Sequence, residues 1–237
     1  AKYPRQRGLK INPKLRGALK GIPYLAGSKK EADTITKIIN NTSAGDMHAL
    51  ALCGEDGTEA SFKNLDGKCK RVIHVATHGF YNAGADAASS SYEEVLMRCG
   101  LYMAGAENKL EGHDIPEGVE DGVLTALEIS ALDLRGLDIA TLSACQTAQG
   151  DIGSDGVFGL QRGFKKAGTN SILMSLWEVD DDATCLLMTE FYKNWIAGKK
   201  TKHDALEEAK KSVRSHKERG WDDPRYWAAF ILLDALD

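Results

Sequence analysis

Hydrophobic and polar residues along this chain follow strand-like and helix-like spacings in turn. Between the strand-like runs, apolar residues recur every three or four positions and predict amphipathic helices, the first of which starts at Ser28. Strand and helix signals that alternate in this way are typical of a parallel sheet with helices on its faces. The apolar runs that predict the buried strands lie at residues 48–54, 70–79, 137–144, 170–177 and 227–233.

Residues that are typical of helix ends indicate where the predicted helices begin and end. Ser28 with Glu31, and Thr125 with Glu128, each have the spacing of a capping box at a helix start. Gly168 follows two lysines at the end of another apolar pattern, as is typical of a helix C-terminus. Further helices are predicted near 154–167, 183–195 and 203–217, and a turn or short helix at 59–65.

The chain is predicted to form a single domain with a long insertion. Its 237 residues, 43% of them hydrophobic, suffice for a full core. Residues 1–27 are expected to lie as an amino-terminal segment over the surface of a domain that spans 28–237. Periodicity falls away at about residues 82–122, which we interpret as an insertion within which 99–106 can add a short strand.

The amino-acid composition limits which classes of partner and which cellular compartment are expected for this protein. The formal net charge is −4 without a basic block, so nothing indicates direct nucleic-acid binding, and an acidic surface disfavours anionic membranes. The longest apolar run, 226–233, is too short to cross a bilayer, and residues 1–8 show no secretory signal. Five cysteines without a Cys-x-x-Cys spacing fit neither a disulfide framework nor a zinc ribbon, so we expect a reducing, cytoplasmic setting.

Two of the predicted strands end at residue types that catalyse reactions. His78 follows the strand in HVATHG, and Cys145 follows the strand in LSACQT. Reactive groups collect beyond the carboxyl ends of parallel strands, so we expect these two side chains to meet there. Because a thiol needs a base to become a nucleophile at neutral pH, the pair predicts a catalytic dyad. The plainer interpretation is an inert cysteine at a strand end.

The residues around the dyad suggest two further hypotheses. Gly79 has no side chain, so its backbone N–H, together with that of Cys145, is predicted to form an oxyanion hole. His74 lies on the same strand face as His78, which makes a metal site the alternative, but no third ligand has suitable spacing. We therefore expect neither a metal nor a cofactor, and we expect His74 to be a hydrogen-bonded core histidine.

A cluster of acids follows the predicted strand at 170–177. An acid beside the cleft would attract a basic side chain of a substrate, so these acids are candidate substrate-binding residues. The alternative is a solvated helix start that one of them caps. The candidates are Glu178, Asp180, Asp181 and Asp182.

Seven motifs in a fixed order carry a resemblance to a known family. They are HVATHG (74–79), CGLYMAGA (99–106), DGVLTALEI (121–129), LSACQT (142–147), GLQRGFKKAG (159–168), SLWEVDDDAT (175–184) and YWAAFILLD (226–234). Over about residues 20–237 the chain resembles CHAT-domain proteins, which belong to the caspase-like cysteine peptidases. The resemblance implies a caspase-like three-layer α/β sandwich, with a mostly parallel central sheet flanked by helices, and it implies that His78 and Cys145 form the dyad.

The resemblance also implies a reaction and a specificity. The implied reaction is peptide-bond hydrolysis through an acyl-enzyme, in which the thiolate attacks and His78 protonates the leaving amine. In the distantly related separases, a segment resembling residues 177–182 contributes an acid to an arginine-binding pocket, which implies a basic P1 residue here. Caspases have Gln-Ala-Cys where this chain has Ser-Ala-Cys at 143–145, so their aspartate specificity is not carried over.

These observations give one leading hypothesis and two alternatives. The leading hypothesis is a cytoplasmic cysteine endopeptidase for protein or peptide substrates, controlled by a partner or by the 82–122 insertion. CHAT domains commonly follow helical repeats that sense a signal, so a helical-repeat sensor or regulator is the expected partner. The alternatives are a catalytically silent module that binds peptides in signalling, and a different thiol-dependent transferase or hydrolase on the same sheet. If the basic preference holds, Arg98 and Lys109 are candidate self-processing sites.

Overall fold

The strands of this protein form two sheets. The computed structural model describes residues 25–42, 47–68, 71–82, 91–143 and 154–233. The strands within them are β1 (Val72–Val75), β2 (Gly79–Tyr81), β3 (Cys99–Tyr102), β4 (Val123–Thr125), β5 (Ile139–Leu142), β6 (Ser171–Ser175) and β7 (Phe230–Leu233). The main sheet has the order β1-β5-β6-β7, in which β1, β5 and β6 are parallel and β7 is antiparallel. The small sheet is antiparallel and has the order β2-β3-β4.

Helices connect the strands, and those predicted near 59–65, 154–167, 183–195 and 203–217 are confirmed. In the described residues the α-helices are α1 (Ala26–Thr42), α2 (Glu59–Lys63), α3 (Tyr92–Met97), α4 (Ala106–Glu111), α5 (Ala126–Ser130), α6 (Ser154–Lys166), α7 (Asp181–Tyr192) and α8 (Lys202–Ser215). A π-helical turn at Lys193–Ala197 continues α7. Among these helices, none has both the length and the apolar character that crossing a bilayer requires.

The main sheet is buried between two layers because its strands are apolar on both faces. On one face, Ile73, Ala140 and Ile172 belong to a core that also contains side chains of α5, α6 and β3. On the other face, Ile139 and Leu173 pack with side chains of α1, α7 and α8. The result is a three-layer α/β sandwich with a mostly parallel central sheet, which confirms the predicted fold class.

The chain passes from the main sheet to the small sheet between β1 and β2. Only Ala76, Thr77 and His78 separate these two strands. Cys99 and Leu101 of β3 are buried in the same core as the strands of the main sheet, so the small sheet is packed firmly against the rest of the fold. His78 therefore lies at the junction of the two sheets.

Residues 91–122 hold regular structure although their sequence shows no periodicity. Ser91 and Glu94 form a capping box that starts α3, and β3 pairs with both β2 and β4. The predicted short strand within 99–106 is thus confirmed as β3. Helix α4 then lies between Gly105 and Gly112, both in the left-handed conformation that favours glycine. Elements of four to six residues joined by such turns are too short for a clear periodic signal.

The predicted strand at 48–54 is wrong. Residues 47–53 contain no strand, and Leu50 and Leu52 are 82% and 47% exposed. The side-chain amide of Asn40 on α1 bonds both the N–H and the carbonyl oxygen of Ala49, at 2.8 and 3.3 Å. The backbone at this point therefore bonds to a helix side chain, in the way that a neighbouring strand would otherwise bond it.

Of the two predicted capping boxes, one is confirmed and one is wrong. At the start of α5, the Thr125 hydroxyl accepts from the Glu128 N–H, and the Glu128 carboxylate accepts from the Thr125 N–H. At the start of α1, Ser28 lies inside the helix and its hydroxyl donates to the Leu25 carbonyl at 2.8 Å. The Glu31 carboxylate makes no capping contact because it is buried against β1.

Candidate functional site

The parallel pairing of the main sheet brings the ends of β1 and β5 together. Val75 pairs with Leu142, and the Ser143 N–H donates to the Val75 carbonyl oxygen at 2.8 Å. His78 follows β1 by three residues, and Ser143 follows β5 directly. Cys145, the predicted nucleophile, comes two residues after Ser143 and lies outside the described residues.

His78 is 6% exposed, and β3 holds its backbone in place. The Tyr102 N–H donates to the His78 carbonyl oxygen at 2.9 Å. The Thr77 hydroxyl in turn donates to the Tyr102 carbonyl oxygen at 2.5 Å. These bonds fix the main chain from which the imidazole projects.

Gly79, the predicted oxyanion donor, begins β2 directly after His78. The bonds between β2 and β3 involve residues 78 and 82, because the His78 carbonyl accepts from Tyr102 and the Asn82 N–H donates to Arg98. Positions that bond to the partner strand alternate along an antiparallel strand. The N–H of Gly79 therefore points away from β3.

A small pocket of about 50 Å³ opens beside His78. It lies between the ends of β1, β5 and β6 and the first turns of α1 and α7. Three of the lining residues are acids, named here the pocket acids (Glu31, Glu178 and Asp181), and none of those described is lysine or arginine. Such a pocket suits a positively charged guest. The described lining residues are Leu25, Gly27, Ser28, Glu31, Ala76, Thr77, His78, Ser143, Glu178, Val179, Asp181 and Thr184.

The four acids after β6 have different surroundings. Glu178 and Asp181 line the pocket. Asp180 is the N-cap of α7, where its carboxylate accepts a backbone N–H at 3.0 Å. Asp182 has a 65% exposed side chain that lies 3.4 Å from the guanidinium of Arg219. The structure thus brings two of the four candidates beside the histidine.

The surroundings of Asp181 raise the pKa of its carboxyl group. Although the residue as a whole is exposed, partial burial of the carboxyl is the largest cause, and the negative charges of Asp180 and Glu31 add to it. The Gly27 N–H, which bonds the carboxylate, and the nearby His78 act in the opposite direction. An acid whose charged form is disfavoured gains from a cation bound next to it.

Behind the pocket, a chain of buried side chains is hydrogen-bonded from α1 to α7. Glu31 Oε1 lies 2.7 Å from His74 Nε2, and His74 Nδ1 lies 3.3 Å from the Tyr192 hydroxyl. The same hydroxyl lies 2.9 Å from Thr141 Oγ1. His74 and Thr141 are directly paired across β1 and β5. His74 is therefore confirmed as a hydrogen-bonded core histidine.

Sequence reasoning missed Glu31 as part of this site because it assigned that carboxylate to a capping box. A signal was present in the spacing. Glu31 precedes Ile35 and Ile38 by four and seven residues, which places it on the apolar face of α1. A carboxylate on a buried face needs a polar partner, and the histidine of β1 is that partner.

A second group of acids surrounds Lys63 and is named here the Lys63 cluster. Its three carboxylates, from Glu59, Glu120 and Glu128, have oxygens within 4.8 Å of one another, close enough to hold a metal ion. Lys63 Nζ lies 2.6, 2.7 and 3.0 Å from them respectively. The ammonium group thus occupies the position that a metal ion would need.

Burial changes the ionisation of the Lys63 cluster. It raises the pKa of Glu59 to about 7, and the charges of Glu128 and Glu120 add to the rise while Lys63 opposes it. Burial alone would lower the pKa of Lys63, but the hydrogen bonds that its ammonium donates to Glu120 and Glu59, with the charge of Glu128, outweigh burial and raise that pKa. The cluster is therefore held together by one buried cation.

Three other cysteines lie in the described residues, and all carry free thiols. Burial raises the pKa of the Cys99 thiol to about 12, and it also raises the pKa of Cys185. A thiol with a raised pKa stays protonated at neutral pH and reacts slowly. Cys53 is partly exposed.

The candidate self-processing residues lie in ordered structure. Arg98 directly follows α3, and its carbonyl oxygen accepts from the Asn82 N–H at 2.7 Å. Lys109 lies in α4, with its ammonium group 3.1 Å from the carboxylate of Asp121. Cleavage after either residue would require local opening of an ordered element.

The chain is similar to members of one known family. The family model for the CHAT domain matches residues 12–235. Tetratricopeptide repeat protein 28 of Mus musculus is 36% identical over 112 residues, and that of Homo sapiens is 33% identical over 115 residues. These matches cover 47% and 48% of this chain but only 4% of each relative, so the chain corresponds to a small part of those proteins.

Proposed function

This chain belongs to the CHAT domain family, a caspase-like peptidase type of module, and from that premise we propose that it is a cysteine endopeptidase acting on proteins or peptides. His78 is the base and Cys145 the nucleophile. The observation that carries the proposal is the place of the imidazole, buried beside a pocket at the end of β1. Ser143, two residues before the cysteine, lines the same pocket.

The length of chain between Ser143 and Cys145 supports this pairing. Two residues span at most about 7 Å. A link of this length supports a thiol that reaches the pocket lined by Ser143 and His78.

The reaction proceeds through a thioester. His78 accepts the thiol proton as the sulfur of Cys145 bonds to the carbonyl carbon of the substrate. The N–H groups of Gly79 and Cys145 stabilise the negative charge that forms on the carbonyl oxygen. As the C–N bond breaks, the imidazolium gives its proton to the leaving amine. Water, deprotonated by His78, then attacks the thioester, and the sulfur leaves and regains its proton.

The substrate class follows from the charge of the pocket. Glu178 and Asp181 line it together with His78, and no lysine or arginine lies among its described lining residues. These two acids bind a basic side chain at P1, and Asp180 serves as the helix cap. The cleaved bond is therefore the one that follows an arginine or a lysine.

The proposal also includes a helical-repeat regulator and a reducing cellular compartment. The relatives that this chain matches are named for tetratricopeptide repeats, which supports a helical-repeat partner as the regulator of this domain. The free thiols of Cys53, Cys99 and Cys185 support a reducing compartment such as the cytoplasm.

Cleavage of a peptide library tests the proposal. Wild type is expected to cut after basic residues, Cys145→Ala is expected to be inactive, and His78→Ala is expected to be at least about a hundredfold slower. Cys53→Ser is the matched control, because it removes a partly exposed thiol outside the pocket and is expected to keep full activity. Activity that persists in Cys145→Ala would overturn the assignment.

A thiol-reactive peptide separates this function from the main alternative. An active enzyme labels Cys145 much faster than Cys53 and does so only when His78 is present. Equal labelling of the two cysteines would instead identify a catalytically silent module that binds peptides.

A further inference from the structure

We propose that Glu31 is a specificity-determining residue of the pocket, which acts with Asp181 to bind the guanidinium or ammonium group of the P1 side chain. The inference rests on the proposed function and extends it to a residue of α1. That helix lies far in sequence from the segment after β6, where the substrate-binding acids were expected.

Glu31 is buried and also lines the pocket. The residue is 2% exposed, and its side chain reaches the pocket from α1 while Asp181 reaches it from α7. The charge of Glu31 contributes to the raised pKa of Asp181, which indicates that the two carboxylates are close enough to repel each other. A cation bound between them would relieve that repulsion.

The hydrogen-bonded chain behind the pocket holds Glu31 in place. His74 Nε2 lies 2.7 Å from Glu31 Oε1, and His74 Nδ1 lies 3.3 Å from the Tyr192 hydroxyl, which lies 2.9 Å from Thr141 Oγ1. The carboxylate is thus fixed in place before any ligand arrives.

The Lys63 cluster shows how this fold balances a buried carboxylate, that of Glu59, which meets no ligand. There the chain supplies its own cation, and a lysine lies within 3.0 Å of each carboxylate. The pocket acids have no lysine or arginine beside them among the described lining residues. Among them Glu31 is buried, and its partner is the imidazole of His74 rather than a lysine or an arginine. A cationic ligand would therefore complete the pocket.

Two thiol-reactive peptides test the proposal, one with arginine at P1 and one with citrulline, which has the same shape and no charge. Labelling of Cys145 is followed by intact mass, which gives the binding constant and the maximal rate for each peptide. In Glu31→Gln, which keeps the shape and an acceptor for His74, the preference for arginine over citrulline is expected to fall roughly tenfold. The loss is expected in the binding constant of the arginine peptide, with the maximal rate of both peptides retained.

Asp33→Asn is the matched control. It removes an acid of the same helix whose carboxylate is exposed and pairs with Lys29, so the arginine preference is expected to stay at the wild-type value. If Glu31→Gln melts below the assay temperature, Glu31→Asp takes its place. It keeps the charge but withdraws it by one methylene, and it is expected to lower the preference as well.

The outcomes separate this inference from the proposed function. An arginine preference that is unchanged in the folded Glu31 variant overturns the role of Glu31, and an equal fall in labelling by both peptides shows a structural role and also overturns it. If wild type labels no faster than His78→Ala with either peptide, the proposed function itself fails. The inference is supported if Glu31→Gln loses the preference for arginine while Asp33→Asn keeps it and the citrulline peptide labels both variants as fast as wild type.

Discussion

The Lys63 cluster and the pocket acids each gather three carboxylates from separate elements, and they differ in where the balancing charge comes from. In the cluster, an ammonium group of the chain lies within 3.0 Å of every carboxylate. In the pocket, the described lining contains acids and one histidine but neither lysine nor arginine. Each group contains one buried acid, Glu59 or Glu31. The comparison teaches that such a group is structural when the fold supplies a lysine, and is suited to binding when the fold does not.

The largest effect is expected from Lys63→Met, which removes the cation of the cluster. Three carboxylates are then left in a partly buried place, so the free energy of unfolding is expected to fall by about 3–5 kcal/mol. Urea denaturation measures it. Lys29→Met, which removes the exposed partner of Asp33, is the control and is expected to cost less than about 1 kcal/mol. Equal costs for the two variants would show that Lys63 is not a structural cation.

The next effect concerns the pH dependence of the Lys63 cluster. The pKa of Glu59 is raised from 4.5 to about 7 in the folded protein, so between these values the folded state holds a proton that the unfolded chain has released. Raising the pH through this window therefore lowers the free energy of unfolding, by up to about 3 kcal/mol for this one group.

Glu59→Gln removes this titration, so its free energy of unfolding is expected to fall less than that of wild type between about pH 5 and pH 7.5. Denaturant unfolding at the two pH values gives the comparison. Parallel pH profiles for the two proteins would mean that the carboxyl of Glu59 has an ordinary pKa.

A smaller effect is expected from the hydrogen bonds that support the pocket from behind. Tyr192→Phe removes the hydroxyl that joins His74 to Thr141, and the free energy of unfolding is expected to fall by about 1–2 kcal/mol. Tyr92→Phe, at an exposed tyrosine, is the control and should change it by less than about 0.5 kcal/mol. A loss in Tyr192→Phe as large as that in Lys63→Met would remove the distinction between the two regions.

The smallest effects are expected at two neighbouring acids that have different roles, Asp181 in the pocket and Asp180 at the start of α7. Asp181→Asn removes a charge of the pocket, so the arginine-to-citrulline preference is expected to fall about tenfold. Asp180→Ala removes the cap of α7 and is expected to lower the free energy of unfolding by about 1 kcal/mol. Labelling rates and thermal unfolding of both variants check this. If Asp180→Ala reduced the preference as much as Asp181→Asn does, the division of roles would be wrong.

Local patterns in the sequence were enough to predict the strands of the main sheet and most of the helices that pack against it. The apolar runs that became β5 and β6 are buried because both faces of the main sheet are covered, and those that became its edge strands β1 and β7 are partly buried. The capping box of Thr125 and Glu128 involves residues three apart, so a local pattern predicts it, although the same spacing at Ser28 and Glu31 gave a wrong prediction. The neighbourhood of His78 and Ser143 follows from the same logic, because parallel strands end at the same side of a sheet.

Contacts between distant residues were not predictable in this way. Lys63 meets Glu120 across 57 positions, and Glu31 meets His74 across 43, so no local spacing reveals either pair. The acids after β6 show the same limit, because successive residues at a helix start point in directions about 100° apart. Their sequence places all of them at the rim, and only the orientation of α7 decides that Asp181 reaches the pocket while Asp182 does not.

The position of His78 between two strands of different sheets ties the imidazole to both of them. The main chain on its one side is held in parallel register with β5, and on its other side it begins the ladder with β3. Any change in the tilt of one sheet against the other therefore displaces the main chain that carries this ring. The nuclear magnetic resonance signal of this one imidazole would report on the mutual orientation of the two sheets, without any assay of activity.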